Sequence, residues 1–295
     1  MPIPVFGIDF TSSPSSRKPI TCARCSFSRG VLTVQDCPTL PTFSAFETFL
    51  QQPGPWIAAC DFPFGLPSQL LENLHWPESW RGYVSHIAAL GKARFEAALT
   101  NYMAGQPVGA KLHLRLADKI AGARSPMMLY RVPVGKMFFE GAPRLLNSGV
   151  SIEPCNPRPD PRIVIEGYPA LVAHRWLGKR SYKSDDRKKQ TDALTLARRD
   201  LVISIRSSEL NSVYNVHLSL SDELATQLIE EPLADRLDAI LCAIQAAWAY
   251  QMREHPHGYP YGIPPGFANE GWIIDPFVLN SYLADFVYPK DTSST

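Results

Sequence analysis

Three short apolar runs in this chain end in the same way, and that repetition constrains the fold more than any other feature. Residues 3–8 run into Asp9, residues 56–60 into Asp61, and residues 163–165 into Glu166. Turn-forming residues follow each acid: Thr11, Ser12, Ser13 and Pro14 after the first, Pro63 and Gly65 after the second, Gly167 and Pro169 after the third. Runs of this length, rich in β-branched and aromatic residues and bounded by Gly and Pro, read as buried strands of a central sheet. Acids are depleted in strands, so three of them at strand ends call for a reason. Any one could merely cap a helix or bond backbone amides. Three on neighbouring parallel strands would share the edge where open α/β sheets place ligands.

Between the first two runs, residues 20–27 and 30–35 read as two more strands joined by a turn at Ser28, Arg29 and Gly30, completing a three-stranded meander. Residues 43–51 carry an apolar helical face through Phe43, Phe46 and Leu50 and would cross over to the parallel strand at 56. The expected architecture is one α/β domain spanning 1–295. Its core strands lie within 1–67 and 162–167, its core helix at 232–253, and a helical, proline-rich insertion at 68–161. Within the insertion, residues 82–103 have helical periodicity, 111–123 form a second helix, and the seven prolines between 125 and 161 predict a surface-wandering connection. Further helices are expected at 168–177, 190–210 and 220–230. Residues 232–252, rich in Ala and Leu and apolar on most faces, read as the most deeply buried helix.

A length of 295 residues at 45% hydrophobic content is enough for one large core or two modest ones. The formal net charge of +1 provides no global field to attract nucleic acid, so such binding would need a local patch. No apolar stretch is long enough to span a bilayer and the N-terminus lacks signal-peptide order, so a cytoplasmic protein without a membrane partner is expected. The six cysteines are scattered and read as reduced. Cys22 and Cys25 form a C-x-x-C, but no second pair follows, and residues three apart in a strand point to opposite faces, which opposes shared zinc ligation.

Clustered carboxylates repel and are costly to desolvate, so such a set needs a compensating cation. Oxygen-only ligation favours Mg²⁺ or Mn²⁺. Two such ions about 3.5 to 4 Å apart can activate water on one side of a phosphodiester and stabilise the leaving oxygen on the other. Asp238, on the buried helix, would be the fourth carboxylate, with Asp235 three residues earlier on the same face.

The segments G-I-D at 7–9, D-F-P-F-G-L-P at 61–67, E-G-Y-P-A at 166–170, D-A-I-L-C-A at 238–243 and E-G-W-I at 270–273 resemble the DUF429 family. That family is described as predicted ribonuclease-H-like nucleases related to RuvC-type and YqgF-type nucleases. The resemblance implies a ribonuclease-H-like fold with a mixed five-stranded sheet of order 3-2-1-4-5. It also implies a hydrolase that cleaves nucleic acid by divalent-metal catalysis through Asp9, Asp61, Glu166 and Asp238, and it selects Asp238 over Asp235 on the helix. A different reading is an actin-like or sugar-kinase-type phosphotransferase or ATPase, since Gly7-Ile8-Asp9-Phe10-Thr11-Ser12-Ser13 looks like a first phosphate-binding turn. Such kinases need two copies of the fold, and no second strand of that type is evident. A module that binds metal or nucleic acid without turnover is a third.

Residues 175–189 hold seven basic side chains interleaved with Trp176 and Tyr182, a composition suited to phosphate contacts and stacking, although charge runs usually form solvated connectors. Lys183, Arg180 and Lys179 are the candidate substrate contacts there, with Lys183 preferred; Lys18 and Arg17 could approach a phosphate near Asp9. His255 and His257 read as surface histidines or ligands, His174 as part of a helix face, and Trp248, Tyr250 and Trp272 as core or rim aromatics.

Overall fold

The computed structural model describes residues 1–184, 186–254 and 259–287. Eight strands form one sheet: β1 (Ile3–Asp9), β2 (Ile20–Ser28), β3 (Val31–Asp36), β4 (Thr39–Leu40), β5 (Trp56–Cys60), β6 (Ser151–Glu153), β7 (Arg162–Glu166) and β8 (His217–Ser219). Their order is β6-β7-β5-β1-β2-β3-β8, with β4 also paired to β2. The meander β1-β2-β3 is antiparallel, while β5 and β7 run parallel to β1. The sheet is therefore mixed, as expected, but it has eight strands instead of five and its order departs from 3-2-1-4-5. The extra strands, β4, β6 and β8, are two or three residues long, too short to show any alternation in the sequence.

The helices are α1 (Phe43–Leu50), α2 (Ser68–Asn73), α3 (Trp80–Leu90), α4 (Lys92–Ala104), α5 (Leu116–Ala121), α6 (Val134–Ser148), α7 (Pro169–Leu177), α8 (Asp192–Arg206), α9 (Ser208–Tyr214), α10 (Asp222–Glu230), α11 (Asp235–Met252) and α12 (Pro276–Tyr282). The expected helix over 82–103 is broken into α3 and α4 by Gly91, whose φ of 78° a residue with a side chain seldom adopts. The expected helix over 111–123 shrinks to α5. The proline-rich stretch does more than wander: it contains the 15-residue α6, with Pro143 inside it. Burial of Phe138, Ala142 and Leu145 on one face of α6 outweighs the roughly 3 kcal/mol that an interior proline costs.

Because strand residues alternate, the sheet supports two cores. Val5, Ile57, Ala59 and Ile165 face one core with α7, α8, α10 and α11. Phe6, Ile8, Ala58, Cys60 and Val164 face the other with α1 and the insertion helices α3, α4 and α6. Cys22 and Cys25 fall on opposite sides of the sheet, one in each core, and all six cysteines are free thiols. No helix among the described residues is long and apolar enough to cross a membrane.

The buried helix α11 lies across β1, β2 and β5, with 13 of its 18 residues buried. It can approach this closely because residue 7 is glycine. A Cβ there would overlap the Ala239 carbonyl oxygen and the Ala243 nitrogen. This contact sets the height of α11 over β1 and brings its first turn, with Asp235 and Asp238, to the end of the strand that carries Asp9.

Candidate active site

Parallel pairing aligns the strand ends. Ile8 is level with Cys60, and Cys60 with Glu166, while the Asp61 amide donates to the Ile8 carbonyl at 2.9 Å. Asp9 and Asp61 therefore each lie one residue beyond this level. By alternation Asp9 follows Val5 and Gly7 onto the face covered by α11, where Asp238 and Asp235 stand. Glu166 shares the parity of Ile8 and Cys60, which pack in the opposite core. One residue of register thus separates the third strand-end acid from the first two.

Glu166 is buried in an ion network of its own. Its oxygens accept from Arg115 Nη1 at 2.8 Å and Nη2 at 2.5 Å, and from the Phe64 amide at 2.9 Å. Arg115 also grips Asp118 through Nε at 3.0 Å and Nη2 at 2.7 Å, and its Nη1 donates to the Glu270 carbonyl. The D-F-P-F-G-L-P segment is fixed around this network: Trp80 Nε1 donates to the Phe64 carbonyl at 2.6 Å, and Phe62, Phe64 and Leu66 are buried. E-G-W-I joins at the same place, with the Glu270 carboxylate accepting from the Ser68 amide at 2.6 Å. Nothing in the spacing of Arg115 pointed to Glu166. The Arg115 amide donates to Asp118 Oδ2 at 3.0 Å at the start of α5, a local contact that says nothing of Glu166.

Asp238 is fully buried in the first turn of α11, and both oxygens are taken. The Tyr182 hydroxyl donates to Oδ1 at 2.6 Å, and Lys183 Nζ is ion-paired with Oδ2. Burial and the Asp238 carboxylate push the Tyr182 hydroxyl well above the ordinary tyrosine range, so it stays a proton donor. Asp9 and Asp61, by contrast, accept no hydrogen bond from another described residue. Burial raises the Asp9 carboxyl well above the ordinary range; Lys183 opposes this, while Asp238, Asp61 and Asp235 add to it. Burial, with Asp238 next, pushes Asp61 up to about 7.

Both acids open into a cavity of about 260 Å³. Its lining combines Asp9, Asp61, Asp235, Lys183 and Lys18 with Arg131, Pro133 and Met137 from the insertion. Of the other basic candidates, Arg180 is spent on an exposed pair with Asp200 at 2.8 Å, and Lys179 and Arg17 are exposed. His174 is exposed on α7, Trp248 and Trp272 are core residues, and Trp176 and Tyr250 pack partly buried against the core. His255 and His257 lie outside the described residues. Among the described residues no three His, Cys, Asp or Glu side chains are gathered closely enough to hold a metal ion together.

These features define an α/β protein with an acidic cavity at the carboxyl edge of a mixed sheet. A family model described as "Protein of unknown function (DUF429)" matches residues 7–258, most of the chain, and the chain belongs to that family. No curated protein and no solved structure matches it.

Proposed function

We propose that this protein is a divalent-metal-dependent hydrolase of phosphodiester bonds, a nuclease on a ribonuclease-H-like core. The observation that carries the reading is the pairing of Asp9 and Asp61. They are strand-end carboxylates, level on one sheet edge, whose negative charge meets no hydrogen-bond donor among the described residues. Carboxylates raised in this way by burial and mutual repulsion are stabilised by a cation, and their oxygen-only chemistry suits Mg²⁺ or Mn²⁺. Asp9 and Asp61 would hold the ion as a pair, with Asp235 further along the same cavity wall. The chemistry an ion supplies there is activation of water and neutralisation of charge on a phosphate.

The chain's own residues complete the site. Asp238 and Tyr182 hold the Lys183 ammonium at the cavity wall, where it meets a phosphate oxygen as a fixed positive charge. Glu166, locked by Arg115, supports the floor instead of ligating. The phosphotransferase alternative needs two copies of the fold, whereas the described residues form one eight-stranded sheet.

The test is cleavage of labelled single-stranded, duplex and junction DNA and RNA with Mg²⁺ or Mn²⁺. Asp9→Asn and Asp61→Asn should each lower the rate about a hundredfold or more, the scale of losing a group that stabilises developing charge. Cleavage that survives both substitutions, or ATP turnover without cleavage, would reject the reading.

A further inference from the structure

Of the four acids at this end of the sheet, two already hold a cation supplied by the chain. Glu166 is closed off by Arg115, with both oxygens taken. Asp238 is closed off by consecutive residues: the Tyr182 hydroxyl donates to Oδ1 at 2.6 Å, and the Lys183 ammonium is ion-paired with Oδ2. No part of the Asp238 side chain is accessible to solvent. Divalent ions of this class bind carboxylate oxygens directly. An ion on the remaining lone pair of Oδ2 would lie against the ammonium, and like charges at such distances repel strongly in a buried site. Asp9 and Asp61 are the pair left to an ion.

The Lys183–Asp238 contact is built into the fold and is not the chance encounter of a loose charge run. Tyr182 and Lys183 lie on the connection between α7 and α8. Arg198 of α8, itself buried, donates from Nη1 to the Tyr182 carbonyl at 2.9 Å and from Nε to the Ile229 carbonyl at 2.7 Å. On the other side, Gln190 Nε2 donates to the Ser184 carbonyl at 2.5 Å. With the Tyr182 ring also buried, the chain is pinned on both sides of Lys183. The lysine side chain is 40% exposed and lines the cavity beside Asp9 and Asp61, both of which feel its charge.

Resting on the reading of Asp9 and Asp61 as an ion site, we propose that this centre takes one divalent ion and that the Lys183 ammonium, held on Asp238, occupies the second cation position. In two-ion centres both the attacking and the leaving oxygen of a phosphodiester are neutralised by metal. Here one of those charges belongs to the chain itself, as a compact ammonium that meets phosphate as a point charge. The site faces a phosphate with two unlike cations, one exchangeable and one fixed.

The experiment is titration of the full chain with Mn²⁺, following free Mn²⁺ by electron paramagnetic resonance and inspecting the bound spectrum for coupling between ions. The unaltered protein is expected to bind one Mn²⁺ with an uncoupled spectrum, and Asp9→Asn to lose it. Lys183→Met uncovers Asp238 Oδ2 and should raise the count from one to two, with the coupling of ions about 3.5 to 4 Å apart. Adding Asp238→Asn to Lys183→Met should return the count to one, and Lys183→Arg should hold it at one. Circular dichroism checks that each variant folds, and the count in the unaltered protein depends on none of them. A coupled pair in the unaltered protein would overturn the proposal and leave the ion site standing. A single ion in folded Lys183→Met would overturn the role given to Lys183. Absence of any bound ion would reject the proposal together with the metal-dependent reading. Binding is scored without turnover, so failure to cleave nucleic acid bears on the hydrolase reading alone.

Discussion

Arg115 grips Glu166 through both terminal guanidinium nitrogens, at 2.8 and 2.5 Å, although the two residues lie 51 positions apart. Both side chains are almost wholly inaccessible to solvent. Removing one partner of a buried pair leaves an uncompensated charge, at a cost of about 3 to 5 kcal/mol. Arg115→Met should therefore lower the unfolding free energy by about that amount in denaturant titrations. Adding Glu166→Gln to it should recover part of the loss. A larger loss in the double variant would contradict the pairing.

Asp61 should contribute a distinct part of the pH response of the metal-free protein. Its folded carboxyl titrates at about 7, against 3.8 for an ordinary one. The folded state therefore holds this proton more tightly than the unfolded chain, and its stabilising effect is complete below about pH 4 and lost as pH rises through 7. The full cost of ionisation is at most about 4 kcal/mol, and partial access to water reduces it to about 1 to 2. In chelator at pH 8, Asp61→Asn should be more stable than the unaltered protein by that margin, with the difference vanishing near pH 4. Chemical denaturation across this range measures it, and a constant difference would count against the raised carboxyl.

Because Asp9 is raised in the same direction, divalent-ion binding should displace protons. Mn²⁺ affinity, followed by calorimetry in buffers of different ionisation enthalpy, should rise between pH 6 and 8 with net proton release. Binding independent of pH would mean that these two acids are not the ligands.

Lys183 and Asp238 should show strong coupling. The lysine is partly exposed, but the aspartate is fully buried, so Lys183→Met leaves a charge with only Tyr182 to satisfy it. A double-mutant cycle with Asp238→Asn should give a coupling energy of about 1 to 3 kcal/mol. Values near zero would reduce the pair to an incidental contact.

Gly7→Ala tests the placement of α11. The added methyl meets helix backbone, which cannot rotate away. The expected loss is about 1 to 3 kcal/mol or more, with impaired ion binding because α11, with Asp235 and the Asp238–Lys183 pair, moves relative to Asp9. A variant of unchanged stability would show that the strand and helix can separate without cost.

The acid-terminated runs were readable because a buried strand and its abrupt end leave a local mark. Asp9 and Asp61 could be picked out for the same reason. The parity that turns Glu166 to the other face was not readable, since register between strands some hundred residues apart depends on pairing and leaves no trace in either segment. Arg115 was invisible for a related reason: a buried guanidinium and its carboxylate need only meet in space. The helix within the proline-rich stretch is not legible in the sequence because Pro143 argues locally against it, and only the core that α6 covers reverses that preference. The short edge strands fell below the length at which alternation can be seen.

The insertion helices are not an ornament on a self-sufficient core. Tyr83, Phe95 and Phe138, with Phe46 and Phe49 of α1, fill one side of the sheet. A chain pruned to its acid-bearing strands would present a naked apolar surface and aggregate before it could be assayed. Sequence drift between 68 and 161 is therefore free at loop tips such as Val108 but bound wherever a helix roofs the sheet, and any minimal version of this protein must keep the roof.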